Sequence, residues 1–280
     1  MEITPKGRWL AAVNFKPIDR LPFWPKFDDA YINKYSSFFK SSDLYDMHKW
    51  VGSDQHIWLP SFIKEEVRDG SVNISVKGST RKTEFITKSG RALMVENFDG
   101  PSQSWHPTEH PIKSEEDIKI LTEVYENTTV KLDKEKLGEI KDYVNKIGED
   151  AVFAEVAGVS PLMYFIQMLA SMVDSHMMLF DSEEIVAELL DSMHKVLLKK
   201  IEMISEHNPG EFIYLLENTS TTLVSPDQYR KYNLKHICEY GDIIEGSDNY
   251  YMWGIYLTSV HTIYSLFTFK NDTISCGHSS

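Results

Sequence analysis

The chain has 280 residues, and its 42% hydrophobic and 12% aromatic content excludes a disordered or low-complexity protein. A formal net charge of −13 argues against nucleic acid or an anionic membrane as a partner. Only two cysteines occur, Cys238 and Cys276, which excludes a disulfide scaffold and fits a reducing, cytoplasmic setting.

Residues 1–17 read as a helix, with Thr4 as N-cap, Pro5 at its first position and Trp9, Leu10 and Val13 on one face. This stretch has no long apolar core and no small-residue cleavage site, so it is not expected to be a signal peptide. Arg20 to Phe27 is a short apolar run between prolines and reads as a buried first strand, with Asp28 and Asp29 at its exit. Asp43 to Val51 reads as a helix and Gln55 to Leu59 as a second strand, entered through Gly52-Ser53-Asp54. From Val72 to Phe98 the pattern has period two, with turn signals at Gly78-Ser79 and Ser89-Gly90, and predicts a three-stranded antiparallel insertion.

Ser114-Glu-Glu-Asp117 starts a helix, and Lys134 to Ile147 is another. Ala151 to Ala157 is a compact apolar strand ending in Gly158, and Ser160-Pro161 opens the next helix. Asp181 or Ser182 caps a long helix to His207 with a stripe of Ile185, Leu189, Met193, Leu197, Ile201 and Ile204. Met168, Met172, Met177 and Met178 are expected to pack a helix interface. Phe212 to Leu216 is a strand, and Ser225-Pro-Asp-Gln228 is a capping box. Repeated strand–helix alternation favours α/β with a parallel sheet, and a (β/α)8 barrel as its architecture.

A barrel places its chemistry at strand ends. That makes Asp54 and Glu217 the candidate catalytic residues, and Asp28, Glu155, Asn218 and Thr219 the candidate substrate-binding residues. Glu155 and Glu217 stand out, because an acid in or ending an apolar strand is costly to bury without a partner or ligand. The histidines show no close metal-ligand spacing: His106 and His110 are four apart, but Pro107 and Pro111 break the helix that would align them. No Walker motif, dinucleotide fingerprint, nucleophile elbow or CxxC pair occurs.

Three segments resemble the uroporphyrinogen decarboxylase superfamily: TPKGRWLAAVNFKPIDRLPFWP at the start, AEVAGVSPLMYFIQML in the middle, and LLENTSTTLVSPDQYRKYNLKHICEYGDII later. The resemblance implies a (β/α)8 barrel domain over residues 1–245 and one of two activities. One is cofactor-free decarboxylation of uroporphyrinogen in porphyrin biosynthesis. The other is methyl transfer from a methylated corrinoid protein to a thiol, with zinc activating the thiol. The decarboxylases carry an arginine-rich segment that clamps substrate carboxylates. Lys26-Phe-Asp-Asp-Ala30 stands there instead, and its acids would repel them. ENTSTTLVSP resembles the methyltransferase branch more closely.

Those methyltransferases bind zinc through a His-x-Cys on the next strand and a later Cys. Tyr251-Met-Trp-Gly-Ile-Tyr256 stands in that place, so zinc is not expected to bind here. A one-base deletion in a coding sequence for Met-Cys-Gly-His-Leu would read Met-Trp-Gly-Ile-Tyr, as at Met252 to Tyr256. Residues 246–280 are therefore expected to be a non-family tail, produced by a frameshift or truncation, that leaves the barrel incomplete at its C-terminal end. The stretch from Asn249 to Phe269 contains no Asp, Glu, Lys or Arg, but its Tyr, Thr and Ser content with Gly254 and His261 argues against a membrane span. The expected enzyme is methyltransferase-like; the alternatives are a decarboxylase-like lyase and a non-catalytic remnant.

Overall fold

The computed structural model describes residues 3–25, 27, 44–217, 222–255 and 267–269. Helix α1 (Pro5–Val13) begins where Thr4 accepts a hydrogen bond from the Gly7 N–H at 3.0 Å. Helix α2 (Leu44–Val51) leads into β1 (Gln55–Leu59). Strands β2 (Ile63–Val67), β3 (Ser71–Lys77), β4 (Thr80–Thr87), β5 (Gly90–Asp99) and β6 (Ser104–Glu109) follow. Next come α3 (Glu115–Glu126), β7 (Thr128–Leu132), α4 (Lys134–Ile147) and β8 (Ala151–Val159). Helix α5 (Pro161–Tyr164) runs into a π-helical segment, Phe165–Leu169, and α6 (Met172–Asp181) and α7 (Glu183–His207) precede β9 (Phe212–Glu217). Helix α8 (Pro226–Tyr229) runs into a second π segment, Arg230–Leu234, followed by α9 (Lys235–Glu245), β10 (Tyr250–Ile255) and β11 (Phe267–Phe269).

The principal sheet has the order β1-β8-β9-β10-β11. Its first four strands are parallel, and β11 is antiparallel to β10. The alternation read from sequence is therefore a mixed α/β fold with a parallel sheet. Among the described residues the sheet is open, and no closed (β/α)8 barrel is present. The sheet continues past residue 245, because β10 pairs along β9 from Tyr250↔Phe212 to Ile255↔Glu217.

Two apolar layers cover the sheet. Ala151, Phe153, Ile213, Leu215 and Tyr251 pack against Leu137, Ile140 and Val144 of α4, Leu197, Ile201 and Ile204 of α7, and Ile237, Tyr240 and Ile244 of α9. Val152, Ala154, Phe212 and Tyr214 pack on the opposite, inner face against Trp9, Leu10 and Val13 of α1 and against Trp24. Helix α1 thus closes the inner face from the N-terminal ends of the strands.

Several expectations are corrected. Arg20 to Phe27 contains no strand among its described residues. Pro22 and Pro25 lack N–H groups, so a ladder cannot form, and pairing is confined to Phe23 and Asp54 (Asp54 N to Phe23 O, 2.7 Å). The insertion has four strands rather than three, in the order β3-β4-β5-β6; Pro107 disguises β6. The antiparallel β2–β7 pair was not foreseen, because Lys64, Glu65 and Glu66 give β2 no apolar alternation. Met168 and Met178 pack as expected, but Met172 and Met177 are exposed on α6. No described helix is long and apolar enough to cross a membrane.

Candidate functional site

Asp54 lies at the N-terminal end of β1, the end of a parallel sheet opposite to the one where loops build sites. Both its carboxylate oxygens are taken. Arg8 and Arg20 each form an ion pair with it, and the Phe23 N–H donates to it at 2.8 Å. The Trp9 indole N–H donates to its carbonyl at 2.9 Å. Arg8 also grips Asp19 in a bidentate pair, 2.7 and 2.8 Å. The hydrogen bond to Arg8 holds the Asp19 carboxyl well below the usual range, and the Asp19 bond, with the charge of Asp54, raises the Arg8 guanidinium. Through these contacts Asp54 ties α1 and the proline-rich run to the sheet. Arg8, Asp19 and Arg20 all come from the opening segment, residues 4–25.

Glu155 and Glu217 share the strand parity of Phe153 and Ile213, which face the helices. Glu155 is fully buried in the row Leu59, Glu155, Ile213, Tyr251 that crosses the sheet. Neither of its carboxyl oxygens has a hydrogen-bond partner. Burial pushes its pKa up to about 8; Ser61, outside hydrogen-bond geometry, and the charge of Lys200 pull it back only in part. Glu217 is buried at the end of β9, and its charge adds to burial in raising Tyr229, Tyr240 and Tyr251. Four residues separate it from Ile213, the register partner of Glu155, so the two acids lie about 13 Å apart along the strands. They do not form one carboxylate pair. Asp28, Asn218 and Thr219 lie outside the described residues.

The inner face is different. Its strand positions hold His56 and Trp58 from β1, Val152, Ala154 and Val156 from β8, and Phe212, Tyr214 and Leu216 from β9. None of these is a Lys or Arg. Toward the N-terminal ends His56 is wedged between Trp24 (4.9 Å), Trp9 (5.9 Å) and Phe212 (6.0 Å). Burial lowers its pKa to about 4, so it is neutral at pH 7, and neither ring nitrogen has a hydrogen-bond partner. Toward the C-terminal ends Trp58 stacks on Tyr214, with centroids 5.8 Å apart and planes 30° apart. Trp58 remains 40% exposed. An exposed indole on the inner face, at the end where a parallel sheet places ligands, is an aromatic platform. Sequence reasoning passed over Trp58, Tyr214 and His56; the available signal was their even spacing on strands already recognised.

The turns after β8 and β9 repeat one device. Ser160-Pro161 and Ser225-Pro226 each cap a four-residue helix that ends in Tyr164 or Tyr229 and passes into a π segment. Such segments recur at functional sites. The second buries Asn233 with both side-chain amide atoms lacking a hydrogen-bond partner. The repeated Ser-Pro-x-x-Tyr in the sequence was the signal for this.

Among the described residues no three His, Cys, Asp or Glu side chains converge to hold a metal ion. Comparison with known proteins finds a solved structure described as a methyltransferase from Methanosarcina mazei, 14% identical, with a TM-score of 0.49, covering 90% of this chain and 69% of that one. No protein-family model matches the chain. No curated protein matches it either.

Proposed function

We propose that this chain is a methyltransferase-type protein of the uroporphyrinogen decarboxylase superfamily, which passes a methyl group from a methylated corrinoid protein to a thiol. The observation that carries this reading is the Trp58–Tyr214 platform on an inner face lined, among the described residues, by apolar and aromatic side chains. A flat, largely apolar macrocycle edge or face gains from stacking on such a surface. A porphyrinogen bearing several carboxylates would need cations, and among the described residues these strand positions hold none.

The zinc of the methyltransferase branch does not fit the described residues, which bring no third ligand to any metal-sized cluster. The role supported for this chain is binding and exclusion of water: Trp58 and Tyr214 would seat the corrinoid, while Trp9, Trp24 and neutral His56 keep the floor beneath it dry. In the transfer itself the carbon–cobalt bond breaks with its electron pair left on cobalt, the thiolate sulfur bonds the methyl carbon, and the thiol proton leaves to solvent.

The test is thiol-dependent demethylation of free methylcobalamin, followed by its visible spectrum. The expected result is a rate above that of thiol and corrinoid alone; a rate equal to that background contradicts the proposal.

A further inference from the structure

We propose that β3 is the dimer edge of this protein, pairing antiparallel with β3 of a second copy about a two-fold axis at Ile74. Among the described residues β3 ends the four-stranded sheet and pairs only with β4. Its residues Val72, Ile74 and Val76 are 38%, 65% and 60% exposed and extend the face on which Phe85, Ala92 and Met94 are buried. The other edge, β6, is blunted by Pro107; β3 carries no proline and no acid.

The hairpin geometry fixes which backbone groups are available. The loop between β3 and β4 has two residues, with Gly78 at φ +61 and Lys77 opposite Thr80. A two-residue loop makes the closing pair a hydrogen-bonded one. The N–H and C=O groups of Lys77, Ser75 and Asn73 therefore turn toward β4, and those of Val76, Ile74 and Val72 turn outward. The three residues with exposed apolar side chains are the same three whose backbone groups have no strand partner among the described residues.

The strand is complementary to a second copy of itself. Centred on Ile74, the sequence Ser-Val-Asn-Ile-Ser-Val-Lys sets Val72 against Val76, Asn73 against Ser75 and Ile74 against its own copy. Its only charge, Lys77, meets Ser71, so two chains each carrying −13 join without a like-charge pair at this edge. About six main-chain hydrogen bonds form and the four-stranded sheet doubles. An edge of this length buries less than a standard interface, so association falls in the micromolar range.

Sedimentation equilibrium of the full chain, with amide hydrogen exchange at low and high protein concentration, tests this. The expected result is reversible dimerisation accompanied by concentration-dependent protection of the Val72, Ile74 and Val76 amides, while Asn73 and Ser75 are protected throughout. Ile74→Lys, which sets two lysines face to face, should raise the dissociation constant at least tenfold, and Ile74→Val should retain the dimer. Exposure of Ile74 makes both variants foldable, which a circular dichroism spectrum checks. A chain monomeric at all concentrations, a dimer without protection at those three amides, or a dimer unchanged by Ile74→Lys would overturn the proposal.

Discussion

Replacing Glu155 by Gln or Met is expected to stabilise the protein at pH 8, by up to about 5 kcal/mol, with the gain shrinking toward zero near pH 4.5. The carboxyl is fully buried with its pKa raised from 4.5 to about 8, chiefly by burial. The folded state therefore holds a proton that the unfolded chain releases. Stability from this group is complete below the unfolded pKa and is lost as pH rises through about 8, at roughly 1.4 kcal/mol per pH unit. His56 and His236, both lowered to about 4 by burial, act in the opposite sense: their contribution is present above 6.5 and is lost as pH falls toward 4. The wild-type curve is accordingly a dome, so the difference between wild type and variant at each pH isolates Glu155. Denaturant melts from pH 5 to pH 8.5 supply it. A pH-independent difference would mean that Glu155 is ionised in the folded state.

Asp54→Ala is expected to destabilise by about 3–5 kcal/mol, because it leaves the Arg8 charge buried without one of its partners and strips the Phe23 N–H of its acceptor. Arg20→Ala should cost no more than about 1 kcal/mol, since the Arg20 side chain is nearly half exposed. A denaturant midpoint for each variant checks the ranking. If Asp54→Ala folds with wild-type stability, the network does not anchor α1.

Much of the fold was legible because its signals are local. Thr4 and Pro5, Ser114, Ser160 and the Ser225–Gln228 box cap the helices they were expected to cap. Strand β1 has the bounds read from sequence. The site was less legible, for a physical reason. Strands β8 and β9 are buried on both faces, so their apolar run has no alternation to mark which side is inner. Only pairing and packing reveal that Glu155 and Glu217 share the helix side with Phe153 and Ile213, and that Trp58 and Tyr214 share the other. The ion pairs of Asp54 were not legible either, because its arginine partners lie 46 and 34 residues away in sequence.

The proposed function puts ligand binding on the inner aromatic face rather than at the buried acids. Quenching of tryptophan fluorescence by methylcobalamin, titrated on the wild type, Trp58→Phe and Trp58→Ala, and Glu155→Gln, tests it most directly. The account predicts that Trp58→Ala weakens binding about tenfold, that Trp58→Phe keeps most of it, and that Glu155→Gln binds as the wild type does. Binding unchanged by Trp58→Ala but abolished by Glu155→Gln would contradict it.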